Sequence, residues 1–576
     1  MATEKHKKVL LVNYAGYFLC ANTFIPDNSL GALAAMLKRQ GVPVEIVDLQ
    51  SPRAVGSVMD HTDRSAAQAL VEQLNLGHAA PESLIRRYQD DRRQGEQWLI
   101  DSAIEQLLTK ISSEDIGLVG FKLWAGEGIL GAVQMAEAIR SAYPKVTLVA
   151  GGPAVEFCGN YLLELTRAFD QLVPGEGEYA IAALACQEPG RSSSNNAGLI
   201  TREALTRQGI SIQRQTASLE MPRVSQLDDL PFATYDREIY PNIDEFYKFR
   251  ILDETRGCFN QCAFCSHTQL NGHGTRRRRA VLVVDEIERL QKTEAVNYFR
   301  FSGSNPPWRL IAQIAEEILK RKLDVCYSIF ASMNNVNPDI FGLLHESGLR
   351  SMFFGIESGD FEQLERAHKK DNVSREHVVR VSQAAMQHGI FITLSFIVPA
   401  PFETAETKRN SLNLIGDIFA RQSHGSILTL PPFLMPGTQW WNDMAEYGFE
   451  FTPGMDRRSY ILHGMKLSND YLLPRDSWSD YGYLLHGKTM PELLAECGEF
   501  VRQVEQVGAL THIDDAAYML ALMGNLDPRE YKNRVLSNLI LGGAENLDAQ
   551  VREMNKSAVQ TRERVWMPGQ PRSNAA

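Results

Sequence analysis

The stretch Thr255-Arg-Gly-Cys258-Phe-Asn-Gln-Cys262-Ala-Phe-Cys265 decides how this 576-residue chain is read. It gathers three of only eight cysteines into eight residues, spaced C-x3-C-x2-C. Such spacing suits one loop wrapping three thiolates around a single metal centre, and thiolates are the usual protein ligands of iron–sulfur clusters. A structural zinc takes four protein ligands. His267 lies two residues on and offers the fourth, so a Cys3His zinc site stands beside the cluster reading. Eight cysteines in a chain of this length are too sparse for a disulfide scaffold.

Outward from the cysteines, strand and helix patterns alternate. Downstream, strand-like runs at 296–301, 325–330, 352–359 and 390–398 are separated by helical patterns at 281–290, 311–320, 338–347 and 378–388. Repeats of this length predict a parallel barrel, or part of one, over 246–440, with reactive residues at the carboxyl ends of the strands. Upstream, continuous β-branched runs at 8–14, 44–49, 116–121, 146–150 and 169–173 suit strands buried on both faces. With helices between them, including one capped by Asn28-Ser29 and one near 130–143, they predict a doubly wound, Rossmann-like α/β sheet over 1–185. A polar helical insertion interrupts it at about 52–112. Residues 186–245 read as a linker, with a polar tract at 191–196, a small hairpin over 198–218 and Pro222, Pro231 and Pro241 beyond it. Residues 441–576 are mainly helical in pattern; aromatics (Trp440, Trp441, Tyr471, Trp478, Tyr481, Tyr483) lie at the opening, and the tail from Pro568 is expected to be disordered.

Composition excludes several classes. A net charge of −11 argues against a nucleic-acid binder. No apolar run reaches the ~18 residues that span a bilayer, so no membrane association is expected. No export signal is seen, and a cytoplasmic location is expected. Neither G-x-G-x-x-G after the first strand nor G-x-x-x-x-G-K-[ST] is present, which excludes the dinucleotide fingerprint and the Walker P-loop. Arg276-Arg-Arg-Arg279 is a short basic run, read as a solvated loop or as a holder of an anionic group.

C-x3-C-x2-C with an aromatic before the third cysteine, here Phe264, resembles the signature of the radical S-adenosylmethionine (SAM) enzymes. Upstream, Gly120-Phe-Lys-Leu123-Trp124, a strand ending in Gly151-Gly152-Pro153, and Pro174-Gly-Glu176-Gly-Glu178 resemble the cobalamin-binding domain that precedes many of them. The resemblance implies a [4Fe–4S] cluster held by Cys258, Cys262 and Cys265, with its fourth iron open to SAM. It implies SAM contacts at Phe264, at Ser302-Gly303-Ser304-Asn305, at Glu357 and at Ser395. It places Leu123, Trp124, Gly151, Gly152 and Glu176 near cobalamin. The Asp-x-His-x-x-Gly motif that ligates cobalt elsewhere is absent, so no protein histidine is expected on cobalt.

The activity implied is methylation of an unactivated carbon, or of a phosphorus centre, through methylcobalamin and a 5′-deoxyadenosyl radical, in natural-product or cofactor biosynthesis. The expected partners are a small-molecule or peptide substrate and a one-electron reductant such as flavodoxin or ferredoxin. No general base is named, because hydrogen abstraction needs none. Two alternatives stand beside this: a non-methylating radical rearrangement or oxidative cyclisation, and a non-catalytic cobalamin or metal sensor with zinc on the Cys3His motif.

Overall fold

The computed structural model describes residues 6–16, 24–75, 80–124, 126–186, 199–202, 223–370, 373–467 and 480–558. The polar tract at 191–196, nearly all of 198–218, Tyr471, Trp478 and the tail from Pro568 lie outside them. The chain forms two compact units: 1–247 with 451–483 and 535–552, and 248–450 with 484–534 and 553–576.

The first unit is built on five parallel strands in the order β2-β1-β3-β4-β5: β1 Lys8–Tyr14, β2 Val44–Asp48, β3 Ile116–Leu123, β4 Thr147–Gly151 and β5 Gln171–Val173. Strand β1, Lys-Val-Leu-Leu-Val-Asn-Tyr, is buried along nearly its whole length, as its unbroken apolar run requires of a central strand. Helices α1 (Asn28–Arg39), α5 (Glu127–Ala142) and α8 (Glu178–Ala185) alternate with the strands. The cap of α1 is Asp27, one residue before the Asn28-Ser29 expected; its Oδ1 accepts from Leu30 N at 3.0 Å, and a carboxylate at the positive end of a helix is the stronger cap. Strand order reverses between β1 and β3, the switch point beside which ligands bind such sheets.

Residues 52–113 form three helices, α2 (Pro52–Asp60), α3 (Arg64–Asn75) and α4 (Glu82–Ser113). Gly95 lets α4 lie against α2, since a Cβ there would sit 2.0 Å from the Val58 carbonyl oxygen. Beside it the fully buried Arg92 pairs with Glu96 at 2.8 Å and Glu127 at 3.2 Å.

The second unit holds a seven-stranded parallel sheet. Its order from one edge is the short strand Leu510–Thr511, β13 (Gly425–Leu430), β12 (Phe391–Ile397), β11 (Leu349–Glu357), β10 (Cys326–Ala331), β9 (Tyr298–Phe301) and β6 (Phe249–Leu252). The first and last strands of this order do not pair among the described residues, so the sheet is a partial barrel. Between β6 and β9 lies a two-stranded ribbon of β7 (Thr255–Arg256) and β8 (Arg276–Arg277).

The region after 441 is mainly helical, as predicted, but it also supplies the edge strand, too short to leave a sequence pattern. The next helix, Asp515–Gly524, is buried along its length and packs on strands β9 to β12. Its sequence is apolar nearly all round, as a helix enclosed on all sides must be. Its one buried acid, Asp515, is met by Arg300 at 2.8 Å and by the Ser328 hydroxyl at 3.1 Å, and Tyr518 stacks on Phe391 with centroids 4.1 Å apart.

Candidate active site

The cysteine loop leaves the ribbon strand β7 and returns through β8. Thr255 pairs with Arg277, Arg256 with Arg276, and Cys258 bridges to His273. Gly257 is required here: its φ is +89°, and a Cβ would lie 2.2 Å from the Gly274 carbonyl oxygen. Cys265 N donates to the Cys262 carbonyl at 3.1 Å, and His267 N donates to Cys265 Sγ at 3.4 Å. The loop is tied down from two other elements, with Ala263 N donating to the His368 carbonyl at 2.8 Å and Trp440 N to the Ala263 carbonyl at 3.0 Å.

Cys258, Cys262 and Cys265 carry no disulfide. Burial pushes the Cys262 thiol up to about 12 and raises that of Cys265 as well, so a metal must draw these protons off. The three thiols and a backbone N–H aimed at one sulfur fit a [4Fe–4S] cluster. The zinc alternative lacks its fourth ligand: His267 Nε2 meets the Ser304 hydroxyl at 2.7 Å, and Nδ1 accepts from Asn271 at 3.2 Å. Phe264 packs edge-on to the His368 ring at 5.6 Å and against Trp440 at 5.7 Å. Of the basic run, Arg278 is buried and not the solvated loop residue expected, its backbone N–H donating to the Glu254 carbonyl at 2.9 Å.

Glu357 and Ser395 meet. A register shift between Gly355 and Glu357 bends β11 against β12, and Glu357 takes φ +68°, a left-handed conformation uncommon for a non-glycine residue. The shift brings the buried Glu357 carboxylate to the Ser395 hydroxyl, which donates to it at 3.4 Å. It also faces Lys370, whose Nζ donates to Oε1 at 2.8 Å and to the Gly355 carbonyl. Burial works against the charge on Lys370, yet the Glu357 carboxylate and the Cys262 sulfur hold its pKa above the ordinary value. Lys370 was missed in sequence because nothing in its spacing separates it from surface lysines.

Ser302 to Asn305 follow β9. The Ser302 hydroxyl donates to Asp253 at 2.7 Å, and the Asn305 side-chain oxygen accepts from Asn335 at 3.3 Å. Gly303 N donates to the fully buried Glu254 carboxyl at 3.1 Å, and a Cβ at Gly303 would lie 2.2 Å from that carboxyl oxygen. Burial pushes Glu254 up to about 8, so at neutral pH it is a neutral acid pinning this loop.

At the carboxyl edge of the first unit, Trp124 Nε1 donates to Asn13 at 2.8 Å, and Asn13 donates to Asp48 at 2.8 Å. The Tyr240 hydroxyl closes on the other Asp48 oxygen. Lys122 lies over the Trp124 ring, 4.1 Å from its centroid. Burial pushes Asp48 up to about 6. Gly152, with φ +96°, would set a Cβ 2.9 Å from the Leu123 carbonyl oxygen, whereas a Cβ at Gly151 would meet nothing closer than 3.4 Å. Glu176 accepts from Val224 N at 2.6 Å. Leu123 is fully buried. The edge thus offers a half-buried indole, a glycine (Gly151) with little bulk above it and, among the described residues, no histidine, which fits cobalamin without a protein ligand on cobalt.

A model of the radical SAM superfamily matches residues 254–415, and one of the B12-binding domain matches residues 93–185. An uncharacterised methyltransferase of Pyrococcus horikoshii is 23% identical over 377 residues, covering 64% of this chain and 77% of that protein. The cobalamin-dependent radical SAM methyltransferase TokK of Streptomyces tokunonensis is 22% identical over 346 residues, 57% of this chain and 48% of its own. The chain thus spans only about half the length of TokK, and 44% of that of the bacteriochlorophyllide d C-8(2)-methyltransferase of Chlorobaculum tepidum. The solved structure of TsrM from Kitasatospora setae, with cobalamin and a [4Fe–4S] cluster bound, has the same fold: TM-score 0.62 at 16% identity, over 95% of this chain and 99% of that one. No helix among the described residues is long and apolar enough to cross a membrane. The chain thus carries a B12-binding domain and a radical SAM domain together, two domains whose cofactors are cobalamin, SAM and a [4Fe–4S] cluster.

Proposed function

We propose that the protein is a methyltransferase that places a methyl group on an unactivated carbon, or on a phosphorus centre, of a small-molecule substrate in natural-product or cofactor biosynthesis. The observation that carries this is the buried Glu357–Lys370–Ser395 set beside the three-cysteine loop, in a chain that also has a B12-binding domain. Relatives point the same way. TokK, two bacteriochlorophyllide d methyltransferases, a cytidylyl-2-hydroxyethylphosphonate methyltransferase and a hopanoid C-2 methylase share methyl transfer and differ in substrate.

When bound, the cluster and SAM supply a radical that abstracts substrate hydrogen, and cobalamin supplies a methyl carrier. Cys258, Cys262 and Cys265 would hold the cluster through their three thiolates. Glu357 would accept from the SAM ammonium, and Lys370 supplies the counter-charge to its buried carboxylate. Ser395 fixes the second carboxylate oxygen, and Phe264, held by His368 and Trp440, forms a wall for the adenine. Glu254 holds Gly303 and its neighbours in place. A flavodoxin- or ferredoxin-type carrier delivers the electron.

The test is product analysis on anaerobic protein loaded with iron, cobalamin and SAM. A methylase makes S-adenosylhomocysteine as well as 5′-deoxyadenosine with its substrate. Deoxyadenosine alone, with a substrate that turns over, would replace methylation by rearrangement or cyclisation.

A further inference from the structure

The basic run Arg276-Arg-Arg-Arg279 has no use in the chemistry proposed above, yet it lies on the ribbon that carries the cysteine loop. Residues 255–279 hold five arginines and neither aspartate nor glutamate, in a chain whose net charge is −11. The fold uses three of the five. Arg256 pairs with Asp253 at 2.6 Å, Arg276 donates to the Asn271 carbonyl at 2.7 Å, and Arg278 is buried. Arg277, opposite Thr255 in the ribbon, is exposed, and so is Arg279. Another exposed cation, Lys369, follows His368, whose carbonyl accepts from Ala263 of the cysteine loop at 2.8 Å.

On the same loop stands Phe259, one peptide bond from Cys258. It is 60% exposed, more than any other large apolar side chain among the described residues. Its backbone is fixed on the Cys258 side, where Cys258 N donates to the Gly272 carbonyl at 3.3 Å and Gly274 N to the Cys258 carbonyl at 3.0 Å. Covering an exposed phenyl ring is favourable in proportion to the apolar area taken out of water. A partner that covers Phe259 meets the exposed Arg277 on the same ribbon.

We propose that Phe259, with Arg277 on its ribbon and Lys369 on the adjoining turn, forms the docking surface for an acidic one-electron carrier of the flavodoxin type. The proposal rests on the radical SAM reading of the cysteine loop. Charge selects this occupant: a chain of net −11 repels an acidic carrier over most of its surface, and an acid-free basic stretch draws it to the loop that holds the thiols. Electron-transfer encounters are small and short-lived, so one aromatic contact with cations beside it is enough. On docking, flavodoxin hydroquinone gives one electron to the oxidised cluster and becomes the semiquinone. The cluster gains that electron, and no bond or proton changes hands.

The test uses full-length protein with its cluster reconstituted anaerobically, and follows cluster reduction by stopped-flow absorbance with two reductants. One is purified flavodoxin hydroquinone. The other is reduced methyl viologen, a small cation that gains nothing from a basic surface. Arg277→Glu is expected to slow reduction by flavodoxin about tenfold at low salt, and added salt should slow the parent and narrow the gap. Phe259→Ala should slow it several-fold at any salt concentration. Both residues are exposed, so iron content and the rate with methyl viologen should stay at the parent's values in both variants. Unchanged flavodoxin rates in the two variants would overturn the proposal, as would a fall of equal size with both reductants or a parent that methyl viologen reduces and flavodoxin does not. Self-association of the parent that Arg277→Glu abolishes would assign the surface to a second copy of the chain and overturn it too. A parent protein that takes up no cluster would overturn the radical SAM reading itself.

Discussion

Replacing Glu357 with glutamine keeps the shape of the side chain and removes its charge. The carboxylate is buried, and its partners are Lys370 at 2.8 Å and the Ser395 hydroxyl at 3.4 Å. If it also accepts from the SAM ammonium, the variant loses one charge-assisted hydrogen bond, about 1.5–3 kcal/mol. That corresponds to a SAM dissociation constant raised roughly 10- to 150-fold. Iron content should not change, because the three thiols are untouched. The assay is equilibrium dialysis of labelled SAM against anaerobically reconstituted protein, with iron measured on the same samples. A stranded Lys370 ammonium would also lower stability, so the double variant Glu357→Gln/Lys370→Met serves as control. It removes both charges, and its melting temperature should recover while SAM binding stays weak. Unchanged SAM affinity in Glu357→Gln would refute the role, and lost iron would move Glu357 from SAM to cluster assembly.

Further outcomes follow from other sites. Cys258→Ala, Cys262→Ala and Cys265→Ala should each lose the iron–sulfur absorption near ~400 nm and all SAM cleavage, since the three thiols are the proposed anchors of the cluster; SAM cleavage surviving in any of them would sink that assignment. Glu254, pushed up to about 8 from an ordinary 4.5, keeps its proton in the folded chain at pH values where the unfolded chain has lost it. The stability this confers is full below pH ~4.5 and falls by about 1.4 kcal/mol per pH unit up to roughly pH 8, so Glu254→Gln should flatten that part of the stability profile, and an unaltered slope would show the group is ionised. Arg300→Met leaves Asp515 buried without its counter-charge and should cost about 3–5 kcal/mol, whereas Arg300→Met/Asp515→Leu should recover most of it. Equal melting temperatures for that single and double variant would mean that the pair is not coupled.

The three cysteines were legible because a C-x3-C-x2-C spacing is a local signal, and the parallel strands because continuous β-branched runs tolerate few other arrangements. Glu357 and Ser395 were named from the family resemblance, by the strands they fall on. Their meeting depends on a register shift at Gly355, which leaves no trace in composition. Lys370 was not legible, since its importance comes from a partner 13 residues away across a π-turn, and its neighbours Lys369 and Asp371 look like surface. Glu254 was hidden for the opposite reason: an acid four residues before the cysteines reads as solvated, and only its depth makes it a neutral anchor. The cap of α1 was misplaced by one residue because Asp27, Asn28 and Ser29 are all good caps, and the choice fell to Asp27, which also answers Lys122.

The helix Asp515–Gly524 and the edge strand before it have a consequence for how the molecule is made and cut. The partial barrel begins at Phe249, yet its inner helix is translated more than 260 residues later, after a stretch that belongs to the other unit. The first unit is likewise closed by late contacts, such as Arg458 with Glu164 at 2.8 Å and Gln550 with Tyr247 at 3.0 Å. Neither unit is a continuous piece of chain, so no single proteolytic cut or cloning boundary releases either one whole. A nascent chain must hold the second sheet without its edge strand and inner helix, and the first unit without its late contacts, until most of it has left the ribosome, with apolar faces open to misassociation meanwhile. Poor yield from truncated forms would then reflect the order of synthesis and not an unstable fold.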